Sequence, residues 1–507
     1  MENNPPIREN FTSHRLETLP FAGAFVGILG VGCFIFMALV FWALPALWLF
    51  DLNRYTLDDG RVSLGFDFPY SLNESPGIET PVILLSDAQG RLVAETIEGD
   101  SIEAIEPADE AWYIEDAQGR RLAIYLDAIW RDGEAWAQST DFEFRDKVDA
   151  ELDIARELRA QIRRIQLREL PLSENNALAL QAGLDRILDI RNDLSQTQLI
   201  GRLASGEAFV IDVEAVLYAV PVNGIGGIEK LWLYAKRVVG FLLDDPIGGS
   251  VVGGVFPALF GTFFLTLVMS VIVAPLGVIV AVYLNEYARP GPLLSGVRIA
   301  LNNLAGVPSV IYGVFGLGFF VYFVGGNLDI LFFSENLPSP TLGTGGVLWA
   351  SLTLALMTLP VVIVTTEESL QAVPNHVRET SMALGASRWQ TLWKVVLPNA
   401  TPGLLTGLIL AVARAAGEVA PLMLLGVTKL AANLPVSAEP PFVHLDRKFM
   451  HLGYHVYDQT FHSANSVEAV PFVFMTALVL VLMIVLINLT AILIRGSLLS
   501  RRRVQGI

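Results

Sequence analysis

The sequence contains one cysteine, Cys33, so no disulfide can form within the chain. Its six histidines do not form a metal-ligand cluster. Four of them, His444, His451, His455 and His462, are spaced by seven, four and seven, which allows a helix stripe; metal binding is not expected there. No G-x-x-x-x-G-K-[ST] run occurs, which excludes the phosphate-cradling loop of an ATP hydrolase. Charged residues are sparse at 17%, against 53% hydrophobic residues, and this balance excludes an ordinary soluble chain.

The apolar residues are gathered into long runs with little charge: 22–50, 256–284, 299–324, 346–366, 402–425 and 470–494. Each reaches the roughly 20 residues that a helix needs to cross a bilayer. One soluble core could not bury them all, so six membrane spans are expected, the third interrupted by Gly and Asn. The first run is too long for the apolar region of a signal peptide and is read as an uncleaved anchor. Lys and Arg near the span ends set the orientation. Arg8 and Arg15 precede the first span, Arg289 and Arg298 lie between the second and third, and Arg378, Arg388 and Lys394 lie between the fourth and fifth. Arg495 and Arg501 to Arg503 follow the last. Both termini are therefore expected on the cytoplasmic side of the membrane. The segments 1–21 and 496–507 form a cytoplasmic leader and a basic tail.

The net charge of −17 belongs to one segment. Residues 51–250 carry 37 acidic and 19 basic side chains, a net of −18, and the rest of the chain sums to about +1. The orientation places this acidic segment outside the cytoplasm, where it does not favour anions and implies no nucleic-acid partner. At two hundred residues it is a domain and not a loop. Its first half alternates as strands do, with two hairpins joined by the same turn, Asp87-Ala88-Gln89-Gly90 and Asp116-Ala117-Gln118-Gly119. The repeat predicts two successive hairpins of one small sheet. From Phe144 to Gln196 the apolar spacing changes to three and four, predicting a helical hairpin broken at Pro171. The stretch Ile228–Leu243 reads either as an amphipathic helix on the outer membrane face or as a core helix of the exported domain. Together these readings give a membrane all-α fold with an inserted α+β domain. The order is span 22–50, domain 51–250 and a membrane core at 251–495.

The segment 374–398 lies between the fourth and fifth spans and reads as two short helices with a tight joint. Asn375 is placed to cap the first helix, and Gly385 fits the left-handed position that ends it. Ser387 and Gln390 form a capping box for the second, and Pro398 is expected to end it. Glu379, Gly385, Leu397 and Pro398 stand at the spacings of the EAA loop of ABC-importer permeases, with Val395 for its Ile. Thr380 and Ser381 replace the two alanines, and Ala383 lies within the motif. The resemblance implies that this loop docks on an ATPase subunit.

Only the fifth span places ionisable residues near its middle, Arg414 and Glu418, and such residues are expensive in a membrane. Counted from Pro402 at ~1.5 Å per residue, Arg414 falls about 18 Å along the span. Four residues apart, the two share a helix face and are able to pair. The pair either locks spans together or handles an anion in transit, for which the planar guanidinium suits a tetrahedral oxyanion. The run Arg414 to Leu422 resembles the R-x-x-G-E-T-A-P-L of PstA-type phosphate permeases, with Val419 for Thr. Similar runs are 275–278, 283–288, 303–313, Leu359-Pro360 and 365–368. The likeness covers about 223–495.

It implies a MetI-like permease with no cofactor of its own, ATP and Mg being bound by the partner ATPase. The implied partners are a PstC-like permease, two PstB-like ATPases and a PstS-like phosphate-binding protein. Phosphate is the implied substrate. A permease for sulfate or molybdate, or a phosphate-status sensor acting through the exported domain and a signalling partner, are the other readings. The glycines of the third span, Gly306, Gly313, Gly316 and Gly318, predict close helix packing. Asn302 and Asn303 are able to hydrogen-bond an anion, but bonding to a neighbouring helix is the preferred expectation.

Overall fold

The computed structural model describes residues 30–67, 82–96, 101–117, 120–165, 177–246, 253–336, 338–431, 433–437, 440–463 and 466–504. The leader 1–21 with Arg8 and Arg15, the first residues of the first span, and Pro171 lie outside the described residues.

An apolar helix, α1 (Gly30–Ala46), opens the described chain. Two antiparallel sheets follow. The first holds β1 (Asn53–Leu57), β2 (Val62–Asp67), β3 (Val82–Ser86), β4 (Leu92–Thr96) and β5 (Ile102–Pro107), in the order β4-β3-β2-β1-β5. The second begins with β6 (Ala111–Asp116), β7 (Arg121–Arg131) and β8 (Glu134–Gln138). Two helices come next, α2 (Phe144–Arg164) and α3 (Ala177–Ser195). The sheet is completed by β9 (Thr197–Arg202), β10 (Ala208–Asp212) and β11 (Val216–Val220). Its order is β10-β9-β7-β6-β11, with β8 beside β7.

The two hairpins with the repeated turn therefore belong to different sheets, not to one. β5 returns to pair with β1 and closes the first sheet before the second hairpin begins. The first turn forms as its residues require, while Gln118 and Gly119 of the second lie outside the described residues. The Asp87 carboxylate accepts the N–H groups of Gln89 and Arg91, and Gly90 takes a φ of 74°. Asp116 accepts the Arg120 N–H in the same way. A contact from Ala123 N–H to the Gly90 carbonyl, 3.0 Å, joins one hairpin to the other. The helices α2 and α3 pack Val148, Leu152, Ala155, Ile162, Ile187 and Leu194 on the second sheet, as the three-and-four spacing predicts; Leu184 points outward.

The next helix, α4 (Gly227–Leu243), leads to the membrane core. Here α5 (Phe256–Tyr287), α6 (Pro292–Ala305), α7 (Ser309–Phe332), α8 (Val347–Gln371) and α9 (Asn375–Ala383) are followed by α10 (Arg388–Gly417), α11 (Leu452–His462) and α12 (Ser466–Val504). Among the described residues five helices are long and apolar enough to cross a membrane: α5, α7, α8, α10 and α12.

Helix α8 is central, with 67% of its most apolar stretch buried against 33% for α5 and 11% for α12. It is approached closely through small residues. A side chain at Gly277 of α5 would meet Val362, and one at Gly403 or Gly407 of α10 would overlap Ser369 or Thr365. In α7, Gly313 abuts Pro421 and Gly316 abuts Thr353. Gly318 faces open space and Gly306 meets only its own helix, so these two do not serve packing.

Two span boundaries differ from expectation. The third run splits: α6 stops at Ala305, where Gly306 and Pro308 interrupt the backbone, and the span is α7. The fifth span begins at Arg388, in the loop, and ends at Gly417, so Glu418 is already extended with φ −82° and ψ 129°.

The sheets are clamped to the membrane helices by buried arginines. Arg237 of α4 pairs with Glu115 at 2.6 Å and donates to the Leu47 carbonyl at 2.9 Å, between the rings of Tyr113 and Tyr218. Arg121 lies 5.1 Å from the Phe472 ring of α12. Removing one partner of a buried ion pair costs about 3–5 kcal/mol, whereas replacing both with apolar groups is nearly neutral. Arg237→Ala is therefore expected to lower the melting temperature of the detergent-solubilised protein, and Arg237→Met with Glu115→Leu to restore most of it. Equal melting of wild type and Arg237→Ala would refute the clamp.

Candidate functional site: a coupling loop and a charged pair on one helix

The residues 374–398 form the expected joint, with local differences. Gly385 takes φ 90°, and its N–H closes on the Met382 carbonyl at 3.0 Å. Ser387 and Gln390 make the reciprocal capping box. The Ser381 and Thr391 hydroxyls meet at 3.0 Å and tie the two loop helices together. Asn375 does not cap: Pro374 occupies that position and Asn375 is the first helical residue. Nor does Pro398 end the second helix. A π-turn at Leu392–Val396 leads into it, and the helix continues to Gly417. The π-turn takes up the proline inside the continuous helix, where its missing N–H would otherwise break the regular bond pattern.

Glu379, Ala383 and Gly385 are exposed, together with Met382, Leu384 (85% exposed), Trp389 and Trp393. Leu397 and Pro398 are half-buried. The loop thus presents an apolar and aromatic ridge with one carboxylate, a composition suited to a protein interface.

At the other end of the same helix stands the charged pair. Arg414 lies in the last turn, where a cation complements the helix dipole. Its Nε is 3.5 Å from Glu418 Oε1. Glu418 is the cap and not a helical residue, so the pair spans a helix end and does not share a helix face. The estimate of Arg414's depth from Pro402 also lapses, because the helix neither starts nor stops where the apolar run does.

Among the described residues between Gly417 and Leu452 the backbone is irregular except for a short turn at Leu422–Leu424. Irregular backbone between membrane helices is tolerated where protein or a watered cavity surrounds it. Val419 turns its side chain to the first turn of α11, where a side chain on Gly453 would come within 2.5 Å of Val419 Cγ2. In that layer the His451 ring accepts the Gly453 N–H at 3.1 Å, and the His455 ring contacts Gln459 at 3.0 Å. Burial holds His451 down to about 3 and His455 to about 4, so both stay neutral.

A third group of charges lies between the loop and the spans and was not singled out from the sequence. Arg378 of α9 pairs with Glu286, in the π-turn that ends α5, and donates to the Leu370 carbonyl of α8 at 2.6 Å. Arg298 of α6 pairs with Glu367 of α8, which also accepts from Gln371 at 3.4 Å. Arg298, Asn302, Glu367, Glu368 and Gln371 line a cavity of about 220 Å³. Asn302 and Asn303 are exposed, and no bond from either to a neighbouring helix is seen among the described residues. The signal for Arg378 is its place beside Glu379, and for Glu286 its place in an apolar span end, but the 92 residues between them hide the pairing.

Residues 273–503 match the family of binding-protein-dependent transport system inner membrane components. A probable ABC transporter permease protein, YqgH of Bacillus subtilis, is 30% identical over 262 residues, covering 51% of this chain and 79% of the relative. The phosphate transport system permease protein PstA of Yersinia pestis is 32% identical over 231 residues, covering 44% and 70%. The protein of the same description from Mycobacterium leprae is 36% identical over 173 residues, covering 34% of this chain and about half of the relative, 51%. A solved structure of the MetNI methionine ABC transporter covers 54% of this chain and 99% of its own, at 20% identity and a TM-score of 0.34. This chain belongs to the binding-protein-dependent transport system inner membrane components, as a multi-pass membrane permease of the PstA type.

Proposed function

We propose that the chain is the permease subunit of an ATP-driven importer that moves inorganic phosphate into the cytoplasm. One observation carries the reading: the exposed loop helix and Arg414 belong to a single helix, Arg388–Gly417. The 26 steps from Arg388 to Arg414 span about 39 Å at about 1.5 Å each. A displacement of the loop by a partner is thereby delivered to the charged pair. Arg414 lends positive charge to the anion, and Glu418 holds the guanidinium loosely enough for the anion to leave.

The partners in this reading are a PstC-like permease, a PstB-like ATPase dimer binding ATP and Mg, and a PstS-like phosphate receptor. Glu379, Ala383, Gly385, Leu397 and Pro398 belong to the ATPase contact. The reading keeps α1 as a sixth span, residues 51–250 outside the cytoplasm and both termini inside. Phosphate is favoured by the names of the PstA relatives; the guanidinium fork alone does not choose among tetrahedral oxyanions.

The test is uptake in cells lacking their own high-affinity system, with the partner subunits supplied. Radiolabelled phosphate at micromolar concentration is expected to accumulate, and tenfold excess sulfate or molybdate to leave its uptake unchanged. Accumulation of sulfate or molybdate without phosphate would transfer the assignment to that anion. Normal phosphate uptake with loss of signalling when residues 55–220 are deleted would assign a sensing role to the exported domain.

A further inference from the structure

We propose that α4 is an interfacial helix, its outward face seated in the outer leaflet at the level of the lipid headgroups. The sequence leaves this helix open between a membrane surface and a domain core, and the side-chain register decides it. Ile228, Trp232, Val239 and Leu243 recur at helical spacing with Ala235 between them, and are 89%, 69%, 52% and 62% exposed. The opposite face is committed inward: Lys230 pairs with Asp51, Arg237 with Glu115, and Phe241 is buried. A core helix would bury its apolar face and expose its charges. Here apolar residues lie on both sides: Leu233, Tyr234, Val238 and Leu242 pack inward with Phe241, while the outward stripe stays exposed with only Lys236 and Glu229 flanking it.

The position of α4 identifies what covers the stripe. Val255 donates to the Phe241 carbonyl at 2.7 Å, one residue before α5 begins. The Phe241 ring lies 6.5 Å from that of Phe472 in α12, and Tyr234 lies 5.6 Å from Trp48, just beyond the end of α1. Helix α4 thus crosses the ends of three apolar helices on the side where the sheets sit. Those helices carry exposed apolar side chains of their own, such as Phe34 and Phe41 in α1 and Leu486 and Leu489 in α12. An exposed apolar stripe seated at the ends of lipid-facing helices calls for lipid, and a tryptophan suits the headgroup level. The inference rests on the proposed orientation, with residues 51–250 outside the cytoplasm, and is independent of what is transported.

The test exploits the single cysteine. In a Cys33→Ser background, the full chain with Val239→Cys is labelled with an environment-sensitive fluorophore and reconstituted in phosphatidylcholine vesicles. Ile228→Cys and Leu243→Cys are two further reporters, and Glu207→Cys, on the exposed turn between β9 and β10, is the control. Phosphatidylcholine spin-labelled at acyl carbon 5 is expected to quench the three stripe positions at least about twofold more than the control, and more than a label at carbon 12, since such helices sit shallowly. Iodide is expected to quench only the control. Iodide quenching of the stripe without lipid quenching would overturn the proposal. So would a stripe shielded from both quenchers only when a partner permease is present, which would make the face a protein interface.

Discussion

Arg414→Ala is expected to reduce anion uptake by about 10- to 100-fold, the equivalent of about 1.5–3 kcal/mol for hydrogen bonds to a charged group. The contact to Glu418 is a single one of 3.5 Å, longer than the 2.7–2.9 Å of a strong charge-assisted bond. A guanidinium held at that distance retains N–H groups for an incoming oxyanion. Both partners stand at the end of α10, where the helix stops at Gly417 and Glu418 is extended.

The companion variants separate anion handling from a structural salt bridge. Glu418→Gln leaves the guanidinium without its counter-charge, so the anion is held more tightly and released more slowly. Uptake should then show a lower KM and a lower maximal rate. The double variant Arg414→Ala with Glu418→Gln removes both charges and the cost of an unpaired carboxylate. If the pair merely locks the helix end, the double variant recovers uptake. If Arg414 handles the anion, it stays as inactive as Arg414→Ala alone, with the protein still present in the membrane.

The spans and the loop were legible because their signals are local. Apolar length marks a span wherever it occurs, and Ser387, Gln390 and Gly385 each specify their own few residues. Helix ends inside apolar runs were not legible. Apolar residues resume after Arg414 and Glu418 and carry the run on to Leu425, so hydropathy does not mark Gly417 as the stop or Glu418 as a cap. The same limit applies to Pro398, which reads as punctuation but stands at the start of a helical segment behind a π-turn. The repeated Asp-Ala-Gln-Gly turn specifies a hairpin and is silent about which strand lies beside it. That choice rests on β5 meeting β1 across some fifty residues of intervening chain. The charge network was hidden for the same reason, since both of its ion pairs, Arg378 with Glu286 and Arg298 with Glu367, join residues distant in sequence.

That network leads to the second large effect: Arg378→Glu is expected to uncouple the importer. The guanidinium reaches the end of α5 through Glu286 and the end of α8 through the Leu370 carbonyl, from a residue next to the loop carboxylate Glu379. It is the one side chain of α9 seen to hold both helix ends among the described residues. Reversing its charge places two carboxylates together, and the loop loses its purchase on the spans while its exposed ridge remains. In vesicles containing the partner subunits, ATP hydrolysis should persist while uptake per ATP falls by about tenfold or more, the scale of a broken buried pair. Arg378→Lys keeps the charge but has no fork to serve both acceptors, so an intermediate ratio is expected. Arg378→Glu with Glu286→Arg restores the ion pair from the other side, yet not the bond to Leu370, and should recover part of the ratio. A swap no better than either single variant, with all of them folded and assembled, would show that Arg378 only stabilises the loop. Partial recovery cannot come from stability alone, because hydrolysis already reports an intact assembly. The ratio then measures how firmly loop motion is passed to α5 and α8.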